Sequence, residues 1–466
     1  MSNDNKLFTE FPAVTAEQWI QQAIRDLKGS DFTEKLQYTT ADGITVQPFY
    51  TEADLAGRPA PEPLFTHTDW EICETIPSED VEAANKKALH ALNNGATALR
   101  FRIAEGTKPE QLLRDISPEH IDLQFDLPAA TDAFARKFQA WIRQQGLRQD
   151  QLRVAFNADF LARLLLSGKG QKTVGAEGDA WVNLFNETTP FRSLCIDAVG
   201  YQNAGAPPAF QLACALAQAR EYLDLPGVRP EDLAGRIQIN IAVGPDYFFE
   251  IAKLRALRKV FALLLGTYGG ETQVYVHAET AFRNLTVYDP YNNLLRTTTE
   301  AMAAVIGGCN SLTVLPFDAA LRPANDFSGR MARNIQLILK AESYFDKVAD
   351  ISAGSYFVET LTEQIAEKAW TWFREIEAAG GFIASLEKGS IQATIRDFAQ
   401  TQAQRFEEGK EILVGINKYP NAQETLKENF PITDRYSTPD AGAEIEPLDT
   451  TRLAAAQEQA RMKAEK

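Results

Sequence analysis

Eight short apolar stretches recur along the middle of this chain, and most are followed by a stretch of helical periodicity. They are WEICETI near Trp70, TALRFRI near Leu99, IDLQFDL near Leu123 and LRVAFNA near Val154. SLCIDAV near Ile196, IQINIAV near Ile239, TQVYVHA near Val274 and SLTVLPF near Thr313 complete the series. Their lengths and their β-branched or aromatic content predict strands buried on both faces. Between Asp246 and Gly266, Ile251, Leu254, Leu257, Phe261 and Leu264 recur at steps of three or four, which predicts a helix. Asp246 is placed to cap its start and Gly266 to end it. From Asp326 onward, Met331, Ile335, Ile338 and Leu339 predict one face of another helix. Strand then helix, eight times over roughly 275 residues, predicts an α/β fold built on a (β/α)8 barrel. The alternative is a doubly wound open sheet, and the near-unbroken alternation favours closure.

The same pattern divides the chain. Residues 1–65 form an N-terminal arm, with a short amphipathic helix (Trp19, Ile20, Ala23, Ile24, Leu27) before the proline-rich GITVQPFYTEADLAGRPAPEP. Phe8, Phe11 and Trp19 are its candidate anchors, either on a partner subunit or on the chain's own barrel. The barrel spans 66–346. A helical layer follows over 347–436, with Ile365, Ala369, Trp372 and Phe373 facing one way, and EILVGINKYP as a short ordered strand or loop. Residues 437–466 are polar and read as a linker or terminal surface helix.

Charge narrows the partners. With 47 basic and 63 acidic residues the formal net charge is −16. Such a surface repels nucleic acid and anionic membranes, and any anionic ligand needs locally clustered cations. No run approaches the roughly 18 apolar residues of a spanning helix. The start, MSNDNKLFTEF, carries no secretory pattern and is too acidic for a transit peptide, so a cytoplasmic protein is expected. Cys73, Cys195, Cys214 and Cys309 form no CxxC pair, and His67, His90, His120 and His277 are dispersed. Buried thiols and no bound metal are the expectation.

Several longer stretches are more specific. DLKGSDFTEKLQYTTADGITVQPFYTEADL, FFEIAKLRALRKVF, DPYNNLLRTTTEAMAAVIGGCNSLTVLPFD, FSGRMARNIQLILKAES, AGSYFVETLTEQIAEKAW and VGINKYP occur in this order. Together they resemble the methylmalonyl-CoA mutase family over nearly the whole chain. The resemblance implies a barrel acting in an adenosylcobalamin-dependent isomerisation, in which the cofactor supplies the radical chemistry and the protein a sealed pocket.

The stretches that carry the chemistry in that family are eroded here. A GYHMQEAGA-like segment becomes AVGYQNAGA, with Val199 and Gly200 where the family's tyrosine and histidine stand; Gln202 is kept. A slip of a residue or two would put Tyr201 there instead. An RPWTIRQYAGF-like first strand becomes TDWEICETIPSED, without arginine or tyrosine. RTHSQTSGW becomes YVHAETAFR, so that Tyr275 replaces arginine, His277 survives, Glu279 replaces glutamine and Phe282 replaces glycine. The family's cobalt-ligating DxHxxG loop has no counterpart, since no histidine follows His277.

No catalytic residue is therefore expected. Gln202, Tyr275, His277 and Glu279 are remnants of the substrate pocket, and Phe101, Phe125 and Phe156 are candidates to fill the bore. The resemblance is to the small subunits of heterodimeric members. It implies a large catalytic partner that binds adenosylcobalamin, none bound by this chain alone, and a homodimer when the chain is isolated. The alternatives are an active homodimeric acyl-CoA mutase drawing cobalamin from a separate chain, and a module that holds CoA esters without turnover.

Overall fold

The structure is a computed structural model describing residues 14–57, 62–128, 133–270, 273–426 and 442–465. Phe8 and Phe11 lie outside the described residues. The arm opens with the helix Ala16–Asp26, capped by Thr15, and continues into a hairpin of β1 (Tyr38–Thr39) and β2 (Thr45–Val46). Asp42, in the hairpin turn, accepts a hydrogen bond from the Ala209 backbone N–H at 2.9 Å. Ile44 and Val46 are buried beside it, so this part of the arm packs on its own barrel. Trp19 packs against Phe49 with ring centres 4.4 Å apart and the rings tilted by 57°, yet remains 42% exposed.

The eight apolar stretches are strands: β3 (Glu71–Pro77), β4 (Ala98–Arg102), β5 (Asp122–Asp126), β6 (Arg153–Asn157), β7 (Leu194–Asp197), β8 (Ile237–Val243), β9 (Tyr275–Thr280) and β10 (Ser311–Thr313). All pair in parallel, in the order β6-β5-β4-β3-β10-β9-β8-β7. The ring closes between β6 and β7 through one residue outside both strands. Arg192 forms a parallel bridge with Ala155, donating its N–H to Val154 O at 3.0 Å and accepting from the Phe156 N–H at 2.8 Å. The result is a (β/α)8 barrel.

The strands are buried on both faces, as expected, but one of those faces is polar. Arg100 and Arg102 of TALRFRI, and Asp122, Gln124 and Asp126 of IDLQFDL, recur at every second position, and period-two alternation sends these to one side. Arg100 pairs in register with Gln124, and Gln124 with Ala155, while Phe101, Phe125 and Phe156 align on the opposite face. Those phenylalanines do not fill the bore. Phe125 and Phe156 meet Phe138 of the helix Ala133–Gln144 at 5.2 and 5.8 Å, so they form the core between sheet and helices.

Helix ends and faces differ in detail from the sequence reading. The helix with Asp246 at its N-cap runs Tyr247–Thr267, through Gly266, and the left-handed glycine is Gly269. On Asp326–Ala341 the buried face is Ala332, Arg333, Gln336 and Leu339, while Ile338 is 47% exposed. Past the barrel come three helices, Tyr356–Ala378, Gly381–Glu387 and Ser390–Glu407. The final helix Ala455–Ala464 is docked: Glu458 is buried, accepts from Arg452 at 2.7 Å and from the Val287 N–H at 2.7 Å. No helix among the described residues is long and apolar enough to cross a membrane.

Candidate functional site

The inward residues of the strands stack in layers, and in this chain the layers are charged. Toward the N-terminal end, Arg192 reaches into the bore and donates to both carboxylate oxygens of Asp122 at 2.8 and 2.7 Å and to Gln238 at 2.9 Å. Its guanidinium lies 3.9 Å from the centre of the Tyr275 ring. Asp122 is fully buried. Its charge is therefore tolerated only because one guanidinium nitrogen of Arg192 meets both of its oxygens.

The next layer is neutral. Gln238 donates to Gln124 at 3.1 Å and to Asn240 at 2.8 Å, and Gln124 donates to Ser311 at 3.2 Å. His277 belongs here, with Nδ1 2.6 Å from the Ser311 hydroxyl and Nε2 3.5 Å from that of Thr313. Burial, reinforced by Arg100 and Arg192, holds the imidazole well below its ordinary pKa. A sealed, neutral ring with hydroxyl neighbours at both nitrogens is poorly placed to exchange protons.

Toward the C-terminal mouth, Arg100 donates to both oxygens of Asp126 at 2.9 Å and lies 3.4 Å from Asp197. Asn157 donates to Asp126 at 3.0 Å. Burial alone would push the Arg100 guanidinium down, but Asp126, Asp197 and Glu279 carry it above its ordinary value. Burial pushes Asp197 up to about 6, with Asp126 and Asp159 adding and Arg100 opposing. Glu279, in register with Ala242 and Thr313, thus serves as part of the counter-charge for Arg100. The bore is plugged by two arginines and their carboxylates.

The structure brings Tyr275, His277 and Glu279 together along one inward face of β9, but as filling of three successive layers. The other candidates sit elsewhere. Val199, Gly200 and Gln202 are on the short helix Val199–Asn203 after β7. A Cβ at Gly200 would meet Leu166 Cδ2 at 2.9 Å, so this position is already filled by a neighbour. Gln202 accepts from Gln211. Tyr201 is buried in the helix layer, where its hydroxyl donates to Gln218 at 2.7 Å, so a slipped alignment does not bring it to the bore. Sequence reasoning missed Arg100, Asp122, Asp126, Arg192 and Asp197. The alternating charges of β4 and β5 were the available signal.

Across the C-terminal side of the barrel lies the chain's own tail. Ile445 and Leu448 donate backbone N–H groups to Gly168 at 3.1 Å and Leu165 at 2.9 Å, beyond β6. On the other side, Arg283, beyond β9, donates to Thr451 O at 2.8 Å, and Arg452 donates to Leu285 O at 2.9 Å. Adenosylcobalamin, implied by the resemblance, does not fit this arrangement. His277, the one histidine on a barrel strand, is sealed, and the mouth offers an arginine already matched by its carboxylates.

The family model for methylmalonyl-CoA mutase matches residues 103–464. The methylmalonyl-CoA mutase small subunit of Porphyromonas gingivalis is 36% identical over an alignment covering 99% of this chain and 78% of that protein. That of Streptomyces virginiae is 31% identical, covering 91% and 73%. A methylmalonyl-CoA mutase of Cereibacter sphaeroides, named without a subunit, is 30% identical, covering 94% and 69%. The barrel and these matches agree: the chain belongs to the methylmalonyl-CoA mutase family.

Proposed function

We propose that this chain is the non-catalytic small subunit of a heterodimeric methylmalonyl-CoA mutase, a cytoplasmic isomerase complex. Its large subunit binds adenosylcobalamin and interconverts methylmalonyl-CoA and succinyl-CoA, while this chain supports assembly and stability. The observation that carries the reading is the filled bore. Working subunits thread the pantetheine arm of the substrate along this axis, and here Arg100 and Arg192 occupy it with their carboxylates. Expelling them would strand buried charges at a cost of several kcal/mol. Val199 and Gly200 add the loss of the hydroxyl and imidazole that a mutase aims at the thioester.

A silent barrel keeps the outer surface for a pseudo-symmetric partner while its axis drifts. The arm, with Phe8, Phe11 and the half-exposed Trp19, is the proposed contact. The test is co-purification with a longer homologue that carries a cobalamin motif. A one-to-one complex is expected, active only through the longer chain. Isomerisation by this chain with cofactor alone would overturn the reading in favour of an active homodimer.

A further inference from the structure

The seam between the first and last barrel strands is built differently from the rest of the ring. β3 and β10 pair only over Glu71–Cys73 and Ser311–Thr313. Beyond that point β3 continues along β4, whereas the chain after Thr313 turns away. The gap, walled by the helices Val81–Asn93 and Asp326–Ala341, holds a cleft of about 540 Å³. Its floor is apolar, formed by Ile72, Ile76, Val314, Leu315 and Ala332. This volume falls in the range of small-molecule sites, roughly 300–1,000 Å³.

The rim is basic on a strongly acidic protein. Six lysines and arginines line the cleft against two carboxylates, Glu74 and Asp326. Two of the arginines are spoken for: Arg333 holds Glu74 at 2.5 Å and Arg322 holds Asp318 at 2.8 Å. Lys87 lies in the field of Glu74. The side chains of Lys86, Arg102 and Arg330 have no hydrogen-bond or ion-pair partner among the described residues, and all three are exposed. A chain with net charge −16 has carboxylates to spare, so unpaired cations collected at one concave place need a reason. A lone carboxylate ligand would leave most of them unmatched. Phosphate offers several oxygens and a double charge, and the guanidinium fork of arginine matches it. In barrels of this class phosphate is frequently held by loops after the last strands, and Leu315–Asn325 is such a loop.

We propose that this cleft binds an organic phosphate with an apolar body, its phosphates on Lys86, Arg102 and Arg330 and its body against the Ile72–Leu315 floor. The site opens at the seam and reaches the barrel interior at Cys73, Thr75 and Thr313, and it does not depend on the silent-subunit reading.

The probe is ADP, titrated calorimetrically into the purified chain, with inorganic pyrophosphate and adenosine as arms that carry the charge or the body alone. The expected result is saturable ADP binding that is tighter than pyrophosphate, absent for adenosine, and weakened by added salt. Arg102→Glu with Arg330→Glu should cut ADP affinity at least about tenfold while the melting curve stays unchanged. No saturation up to about 5 mM ADP would overturn the site, and so would equal affinity in the double variant. Pyrophosphate binding as tightly as ADP would overturn the amphipathic ligand. Loss of ADP binding on adding the longer homologue would assign the cleft to the subunit interface and overturn it as well.

Discussion

Two seams of the same ring solve opposite problems. Between β6 and β7 a single residue, Arg192, bridges the gap with its backbone while its side chain neutralises Asp122 inside the bore. Between β3 and β10 the strands part after three paired residues, and Arg102 and Arg330 line an open cleft without a carboxylate partner among the described residues. The same residue type is a structural plug in one place and an unpaired, hydrated cation in the other. The difference is the carboxylate: burial demands one, and exposure does not.

The comparison is broken most severely at the plugged seam. Arg192→Met leaves Asp122 buried without its partner and should destabilise the chain by about 3–5 kcal/mol in denaturant titrations. Adding Asp122→Leu should recover much of that loss, because the stranded charge is then gone. A single variant as stable as the parent would show that the pair is not what fills this layer.

Restoring the eroded family chemistry should also fail. Gly200→His must push Leu166 aside, since even its Cβ falls 2.9 Å from Leu166 Cδ2. Overpacking of about 1–3 kcal/mol is expected, with no mutase activity gained even beside Val199→Tyr. Turnover in that double variant would mean that the bore opens far more easily than its ion pairs allow.

These outcomes bear on how much was readable in advance. The strands, their order of appearance and the barrel were legible because each apolar run is short and followed by a helical period. The bore was not. TALRFRI and IDLQFDL were read for their apolar letters, although Arg100, Gln124 and Asp126 already marked the inward phase. Arg192 left no such signal, because it lies outside every strand and its role comes from closure of the ring, which is known only in three dimensions. The cleft was equally hidden. Lys86, Arg102 and Arg330 come from distant parts of the chain and meet only because β3 and β10 are neighbours.

Acid titration sharpens the contrast between bore and cleft. Asp197 and Asp42 are each pushed up to about 6 from an ordinary 3.8, mainly by burial. The fold therefore binds these protons more tightly than the unfolded chain does. Their contribution is fully present below about pH 4 and is lost as pH rises through about 6. Asp197→Asn should flatten that limb by on the order of 1–2 kcal/mol when stability is measured from pH 4 to 7. Removing the cleft's cations should leave that limb unchanged.

The smallest effect belongs to the open seam. Arg330→Glu should change stability by no more than about 0.5 kcal/mol, because no described group depends on its charge. A loss comparable to that of Arg192→Met would erase the distinction between the two seams.

Because one residue both fastens the wall and fills the axis, those two events cannot occur separately. Any fluctuation that parts the Ala155–Arg192 bridge also draws a guanidinium away from Asp122 and admits solvent to the interior. Amide protons on either side of that joint should therefore share one opening free energy with the deepest carboxylate of the barrel, instead of exchanging as a loose edge would.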